Sequence, residues 1–282
     1  MMILVAGATG TVGQHVTELL MTRNRTIRAL TRYPEQAKDK LPEGVEIVAG
    51  DLMKPETLRD ALQGVEAMFL ITSSDEPNAD LNTDPQVVAL AEEAGVKRIV
   101  VLVGYEEGPV EESLRASDMQ WTLVKPAEFM ANVLADWGET IRTEGYVREF
   151  YGEALSARVH ERDIAAVAVE ALLEDGHHGK SYPLTGPEAL TRREAVRTIA
   201  AAIGKDILFI EKTEEEARQQ WRDQGYDEES VEFFVQIAKN PPEAGYTVLP
   251  TVEQVLGRPA RTLAEWAVEH KREFLTERER GD

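Results

Sequence analysis

The chain has 282 residues, no cysteine and a formal net charge of −20. The length suits one α/β domain or a domain with a smaller lobe, and the missing cysteine excludes disulfides, thiolate nucleophiles and zinc–sulfur sites. The acidic balance opposes binding to nucleic acid or to an anionic membrane. We expect a cytoplasmic protein, because a buried strand begins at Ile3 and no apolar run approaches the roughly 20 residues of a membrane span.

Short apolar runs alternate with amphipathic segments along the first 125 residues. The runs begin at Ile3, Thr26, Val45, Ala67, Arg98 and Trp121, and the amphipathic segments include Thr11–Arg23, Pro55–Leu62, Asp84–Glu93 and Val110–Ser117. Apolar strands that alternate with helices are typical of a parallel sheet covered on both faces. The pattern predicts an α/β fold with a Rossmann-type, doubly wound parallel sheet, in the strand order 3-2-1-4-5-6.

After about residue 145 the alternation becomes less regular. A helix is predicted from Ile164, with Asp163 as its N-cap. A second helix is predicted to begin with a capping box formed by Thr191 and Glu194 and to end at Gly204.

The two halves of the chain are interpreted as two structural parts. Residues 1–145 are assigned to the Rossmann domain, and residues 146–282 to a smaller α/β lobe packed on it that completes a substrate pocket. Segments of the chain are free to interleave between them. The lobe includes a charge-rich segment with Trp221, Phe233 and Phe234 at helical spacing.

The first strand is followed by GATGTVG, which contains Gly7, Gly10 and Gly13. In a dinucleotide-binding fold the first glycine allows a tight turn, the second lets the backbone approach a pyrophosphate, and the third lets the helix pack closely on the strand. The helix N-terminus then directs N–H groups at the phosphates, and Thr9 and Thr11 add hydroxyl donors. The loop is interpreted as a pyrophosphate cradle, although its glycines are spaced G-x-x-G-x-x-G rather than G-x-G-x-x-G.

The second strand ends in the sequence LTRYPEQA. Proteins selective for NAD usually place a carboxylate here to bind the ribose hydroxyls, whereas this chain has Thr31 and Arg32. A guanidinium can pair with a 2′-phosphate. NADP(H) is therefore the preferred cofactor, with NAD(H) as the alternative.

Several motifs in order resemble the NmrA-like branch of the atypical short-chain dehydrogenases/reductases. They are GATGTVG, the Arg32 position, AGDLMKPETLRDALQGVEAMFLIT, LRASDMQWTLVKPAEFMANV and RDIAAVAVEALL with GKSYPLTGPEALT. The resemblance runs from residue 3 to about residue 205. It implies a Rossmann domain, a small C-terminal lobe and a nicotinamide cofactor.

The resemblance also implies cofactor contacts for residues at the ends of the strands. The implied contacts are Asp51 and Leu52 with the adenine, Leu70, Ile71 and Thr72 with its ribose, Val103 and Gly104 with the nicotinamide ribose, and Pro126 and Phe129 with the nicotinamide. Val12 and Lys125 are counted among the cofactor-binding residues as well.

The proton-transfer residues of typical short-chain dehydrogenases are missing. None of the tyrosines has a lysine four positions later; Tyr105, for example, is followed by Pro109. The lysine used by the related phenylpropanoid reductases aligns near Glu107. Tyr105 and Glu107 are therefore the candidate proton-handling residues.

Two classes of function remain open. As an enzyme, the chain would be an NADPH-dependent oxidoreductase for a quinone or a flat aromatic ketone or enone, since such acceptors need little beyond positioning at the nicotinamide. Tailoring of aromatic natural products, by reduction or cofactor-assisted oxygenation, falls within this class. The candidate pocket residues are Phe129, Met130, Trp137, Phe233 and Phe234, with core packing as the alternative.

The second class is a non-catalytic regulator of the NmrA type that senses NADP(H) and transmits its state to a protein partner. For the enzyme the expected partner is a small aromatic substrate, and a homodimer is an open alternative. The histidines show no metal-ligand spacing, so no metal site is expected.

Overall fold

The computed structural model describes residues 1–72, 82–104 and 107–280. They form two compact units, each made of several chain segments. The N-terminal unit comprises Met1–Pro126, Glu161–Leu184 and Gln254–Gly257, and the C-terminal unit comprises Ala127–His160, Thr185–Glu253 and Arg258–Asp282. The chain thus passes from the first unit into the second after Pro126, rather than near residue 145, and later returns.

The strands of the described residues are short. They are β1 Met2–Ala6, β2 Thr26–Thr31, β3 Glu46–Ala49, β4 Ala67–Ile71, β5 Arg98–Leu102, β6 Gln120–Pro126, β7 Tyr146–Phe150, β8 Leu155–Ser156, β9 Lys180–Leu184, β10 Leu190–Thr191 and β11 Leu208–Lys212.

The N-terminal unit is built on a seven-stranded sheet in the order β3-β2-β1-β4-β5-β6-β9, with every pair parallel. The predicted fold class and strand order are therefore confirmed. The seventh strand, β9, was not predicted. It comes from the later half of the chain and forms an edge, where Pro183, which lacks a backbone N–H, is tolerated.

The helices alternate with the strands in the first half of the chain. They are α1 Gly13–Thr22, α2 Pro34–Ala37, α3 Gln86–Glu93, α4 Pro109–Ala116, α5 Asn132–Thr143, α6 Glu161–Leu173, α7 Arg192–Ile203, α8 Glu214–Asp223, α9 Glu228–Lys239, α10 Glu243–Tyr246, α11 Thr251–Leu256 and α12 Leu263–Glu269. Single 3-10 turns lie at Pro55–Leu58 and Lys271–Phe274.

Two predicted helices differ from the structure. The segment from Pro55 to Leu62 forms only a 3-10 turn, although Leu58 and Leu62 are fully buried as its apolar pattern suggested. Asp163 is not an N-cap, because α6 begins at Glu161 and places Asp163 inside its first turn, where the helix dipole favours an acid.

The predicted helix boundaries at Thr191 and Gly204 are confirmed. The Thr191 hydroxyl accepts a hydrogen bond from the Glu194 N–H at 3.1 Å, and the Thr191 N–H donates to the Glu194 carboxylate at 2.9 Å. Gly204 ends α7 with a φ of +69°, a left-handed conformation that glycine adopts without strain.

Strand β1 shows why the sheet of the N-terminal unit is stable. All of its residues from Ile3 to Ala6 are fully buried, which matches a central parallel strand covered on both faces. The core of this unit also includes Leu58, Leu70 and Ile99.

The C-terminal unit contains two small sheets and a separate core. Strands β7 and β11 pair in parallel, and β8 and β10 pair antiparallel. Its larger apolar cluster contains Met130, Trp137 and Trp266. Across both units, the described residues include no helix that is long and apolar enough to span a membrane.

Candidate active site

The glycine loop after β1 is as tight as its sequence predicted. Gly7 has a φ of +64°, and the Gly10 N–H donates a hydrogen bond to the Gly7 carbonyl at 2.9 Å. A Cβ added to Gly13 would lie 1.9 Å from that carbonyl oxygen, which is backbone and cannot move aside cheaply. The loop therefore requires glycine at both of its ends.

The N-terminus of α1 suits an anion. Its N-cap residue, Val12, supplies no side-chain cap, and its first turn contains no acidic residue. The positive end of the helix dipole is thus not offset by a carboxylate of its own first turn, which is the arrangement that binds the pyrophosphate of a dinucleotide. Thr9 is exposed beside the loop and Thr11 is half-buried.

The end of β2 carries a cation and lacks an acid. Arg32 is exposed, lies 5.7 Å from the ring centroid of Tyr33 and forms no ion pair with another described residue. The nearest acid along the chain, Glu35, is paired with Lys38 at 2.7 Å. The guanidinium is therefore available to a phosphate at this strand end.

The strand ends predicted to contact the adenosine are ordered by hydrogen bonds. The Asp51 carboxylate accepts from the Met53 N–H at 3.0 Å, and the Asp51 N–H donates to the Thr57 hydroxyl at 2.9 Å. Leu52 is buried. These bonds shape the turn after β3, at the carboxyl edge of the parallel sheet.

Thr72 joins the ends of two neighbouring strands. Its N–H donates to the Leu102 carbonyl at 3.3 Å, and its hydroxyl accepts from the Gly104 N–H at 3.1 Å. The Val103 N–H donates to the Val124 carbonyl at 2.9 Å. Leu70 is fully buried, whereas Ile71 is partly buried. The ends of β4, β5 and β6 therefore form one fixed edge.

Of the two candidate proton-handling residues, the structure describes Glu107 but not Tyr105. Tyr105 lies outside the described residues. Glu107 is described, and its carboxylate binds the Lys125 ammonium at 3.0 Å and also the Arg115 guanidinium. The hydrogen bond from Arg115, and to a smaller extent the one from Lys125, holds the pKa of Glu107 below its usual range. Glu107 is therefore ionised at neutral pH. An ionised carboxylate suits the role of orienting the neighbouring cations better than that of donating a proton.

The association of Lys125 with Glu107 was not predicted from the sequence. Glu107 follows β5 and Lys125 is the last residue but one of β6, so only the pairing of these two strands indicates that they meet. Lys125 is followed by Pro126, the last residue of the strand.

The candidate pocket residues lie in the C-terminal unit in two separate clusters. Met130 and Trp137 are buried in its main core, and Phe129, half-buried, bridges to Val159. Phe233 is 49% exposed, and the ring of Phe234 lies 6.1 Å from it.

Phe234 belongs to an aromatic cluster with Trp221, whose ring centroid is 5.3 Å away. The pocket-lining role of the five residues stays a prediction, and Met130 and Trp137 also satisfy the alternative of core packing. Among the residues that the structure describes, no group of three or more potential ligands could hold a metal ion.

The sheet order, the glycine turn and the uncapped helix define a Rossmann-type dinucleotide-binding protein. Residues 7–109 match a family model described as NAD(P)H-binding. The chain is 37% identical to the NAD(P)H azoreductase of Xenophilus azovorans, covering 97% of this chain and 99% of that protein. It is 38% identical to the (4-alkanoyl-5-oxo-2,5-dihydrofuran-3-yl)methyl phosphate reductase of Streptomyces griseus, covering 98% of this chain and 100% of that protein.

The fold is similar to that of a solved structure over nearly the whole chain. The NADPH complex of the NADPH-dependent quinone oxidoreductase QOR2 from Escherichia coli matches with a TM-score of 0.78 and 26% identity, covering 95% of this chain and 99% of that one. The chain belongs to the NmrA-like family of atypical short-chain dehydrogenases/reductases. It is an NAD(P)H-dependent oxidoreductase.

Proposed function

We propose that this oxidoreductase uses NADPH to reduce a conjugated, electron-poor acceptor, either a quinone or a flat aromatic ketone or enone. The observation that carries the proposal is its full-length similarity to two reductases at 37% and 38% identity. The names of these two reductases refer to an azo group and to an acylated dihydrofuranone. Together with a quinone, these are π-systems that can accept a hydride and delocalise the electron pair that it displaces.

The preference for NADPH rests on the end of β2. Arg32 is exposed and has no ion-pair partner among the described residues, so it can bind a 2′-phosphate without breaking an existing pair. Thr31 and Tyr33 beside it carry no negative charge. NADH lacks the 2′-phosphate and would leave Arg32 unused.

The residues on the sheet edge have separable tasks. The Gly7–Gly13 loop and the start of α1 hold the pyrophosphate, while Thr72 and Gly104 fix the edge at which the nicotinamide ribose is expected. The cofactor supplies the hydride when it is bound. The chain positions the acceptor and holds the proton that accompanies reduction.

The absence of a Tyr-x-x-x-Lys pair favours acceptors of this kind. An isolated ketone generates a localised alkoxide and depends on a strong acid at its oxygen. A quinone yields a hydroquinone, and its conjugation spreads the charge that arises on the way. We therefore expect conjugated acceptors to be reduced faster than isolated ketones.

The test is a comparison of acceptors at equal concentration, followed by loss of the reduced-nicotinamide absorbance. The panel contains benzoquinones, naphthoquinones, anthraquinone-like compounds, an azo dye, an aromatic enone and its saturated ketone. Because polycyclic quinones are included, the panel also tests a role in aromatic natural-product tailoring. The Gly10→Val variant is the control, since a branched side chain at this position would obstruct the pyrophosphate.

We expect oxidation of NADPH above background with the conjugated acceptors and not with the control variant. Equal rates for the enone and its saturated ketone would contradict the proposed substrate class. Tight NADPH binding without turnover of any acceptor would contradict the catalytic proposal and favour the NADP(H)-sensing regulator.

A further inference from the structure

Lys125, Glu107 and Arg115 form a charged group at the carboxyl edge of the sheet. Lys125 is the last residue but one of β6, Glu107 lies between β5 and α4, and Arg115 is in the last turn of α4. Strands β5 and β6 pair in register, with Leu102 opposite Val124. Parallel pairing brings the ends of both strands to one edge, so Glu107 and Lys125 meet although they are distant in sequence. Arg115 reaches the same carboxylate from α4.

The charges within this group do not cancel. Two cations bind the single carboxylate of Glu107, so the three side chains together carry a formal charge of +1. One carboxylate oxygen binds Arg115 and the other binds Lys125.

Lys125 retains the capacity to bind something else. An ammonium carries three N–H donors, and Glu107 is the one hydrogen-bond partner of Lys125 among the residues that the structure describes. The Lys125 side chain is 37% exposed, so the other donors can be reached from solvent. Glu107 orients the ammonium through one hydrogen bond and leaves its other N–H donors available.

The position of the group matches the reacting end of the site. The Val103 N–H bonds to the Val124 carbonyl, one residue before Lys125, and the Gly104 N–H bonds to Thr72. Val103 and Gly104 are the residues assigned to the nicotinamide ribose. Lys125 is thus on the strand next to that assignment, on the same edge.

We propose that Lys125 is a catalytic residue that donates a proton to the carbonyl oxygen of the acceptor, and that Glu107 is the positioning residue that orients the ammonium. This inference rests on the proposed function and assigns its missing proton donor. Arg115 cannot take the role, because a guanidinium does not lose its proton in proteins. Its guanidinium lies 5.6 Å from the ring centroid of Trp121, where it anchors the other side of Glu107.

The step balances for a conjugated carbonyl. One hydride from NADPH forms a new C–H bond at the acceptor, and the displaced π pair moves to the carbonyl oxygen. An N–H bond of Lys125 breaks as the O–H bond forms, leaving a neutral amine that regains a proton from water. NADPH is oxidised by two electrons and the acceptor is reduced by two electrons.

The kinetic test compares Lys125→Met with Lys97→Met, a matched change at an exposed lysine just before β5, at the opposite edge of the sheet. We expect Lys125→Met to lower kcat for an aromatic enone by about 10²-fold or more, as loss of a general acid does. The dissociation constant of NADPH, measured by fluorescence, should stay within about threefold of wild type if Lys125 acts on the acceptor. Lys97→Met should change neither quantity.

Two further variants separate proton donation from charge and orientation. Lys125→Arg keeps the positive charge and the pairing with Glu107 but cannot release a proton, so its kcat should stay close to that of Lys125→Met. Glu107→Gln should lower kcat by a smaller factor with little change in KM, because the ammonium is still present but is less well oriented. Recovery of wild-type kcat by Lys125→Arg would overturn the assignment of Lys125 as the proton donor.

An equilibrium measurement tests the assignment without turnover. Para-nitrophenol is bound to the protein with NADP⁺, and its ionisation is read from its absorbance across a pH series. An ammonium beside the phenol oxygen favours the phenolate, so the apparent pKa of the bound phenol should fall by about one unit or more in wild type. It should not fall in Lys125→Met.

The outcomes distinguish the two proposals. An equal fall of the phenol pKa in wild type and Lys125→Met would overturn the placement of Lys125 at the acceptor oxygen. A tenfold or greater weakening of NADPH binding in Lys125→Met would overturn it too and assign the lysine to the cofactor. A fall confined to wild type, with no acceptor reduced, would support the placement of Lys125 and reject the proposed reductase function.

Discussion

Replacing Arg32 with alanine should remove most of the discrimination between NADPH and NADH. Arg32 is exposed at the end of β2, and its guanidinium carbon lies 5.7 Å from the ring centroid of Tyr33. Because it forms no ion pair with another described residue, its loss should leave the unliganded protein nearly as stable as before. The effect should therefore appear in cofactor binding rather than in folding.

The magnitude follows from the exposure of the guanidinium. Hydrogen bonds to charged groups contribute about 1.5–3 kcal/mol, and solvent exposure at Arg32 places its contribution toward the lower end. A loss of about 1–2 kcal/mol corresponds to about 5- to 30-fold weaker NADPH binding. NADH binding should change little, because it has no 2′-phosphate.

Thermal unfolding with each cofactor at equal concentration measures the difference, since a ligand that binds the native state raises the melting temperature according to its affinity. Arg25→Ala is the matched control, because Arg25 is an exposed arginine directly before the same strand, at its opposite end. Equal shifts with NADPH and NADH in wild type would refute the interpretation of Arg32. So would a preference that survives in Arg32→Ala.

Two more predictions concern single residues. Gly13→Ala should weaken NADPH binding and destabilise the protein by about 1–3 kcal/mol, because the added Cβ would lie 1.9 Å from the Gly7 carbonyl oxygen. Fluorescence titration and thermal unfolding test this, with Gly138→Ala as the control, since a Cβ at Gly138 would make only ordinary contacts. Wild-type affinity of Gly13→Ala for NADPH would contradict the prediction. Although Asp136 is exposed, desolvation of its carboxyl by neighbouring protein atoms, followed by repulsion from Glu128 and Glu149, raises its pKa to about 6. The folded state therefore binds a proton more tightly than the unfolded state, and stability falls as the pH rises from about 4 to about 6. Asp136→Asn should therefore raise the melting temperature near pH 8, with the gain vanishing near pH 4; a gain of equal size at both pH values would contradict the assignment.

The local features of the N-terminal unit could be predicted from the sequence because each depends on residues close together in the chain. The strand that begins at Met2 and the glycine loop that follows it need only an apolar run and a tight turn. The capping box of Thr191 and the end of α7 at Gly204 likewise depend on neighbouring residues. Strand order followed because alternating strands and helices allow few topologies.

Local sequence patterns predicted the role of a residue less well where neighbouring or similar residues could fill the same role. Asp163 resembles an N-cap, but the helix begins at Glu161, since an acid is favoured in the first turn as well as at the cap. Met130 and Trp137 have the size and polarity of pocket residues, and both are buried in the core of the C-terminal unit. Apolar character alone does not distinguish a pocket wall from a core.

By itself, the sequence determined the Rossmann sheet, the glycine loop, the Arg32 position and the absence of a Tyr-x-x-x-Lys pair, because these are matters of residue type and short spacing. Tertiary structure alone decided that β9 joins the sheet, that the chain leaves the first unit after Pro126, and that Lys125 meets Glu107. Each of these depends on which strands pair over a long separation in sequence, and hydrophobic periodicity carries no information about the partner that a strand end will face.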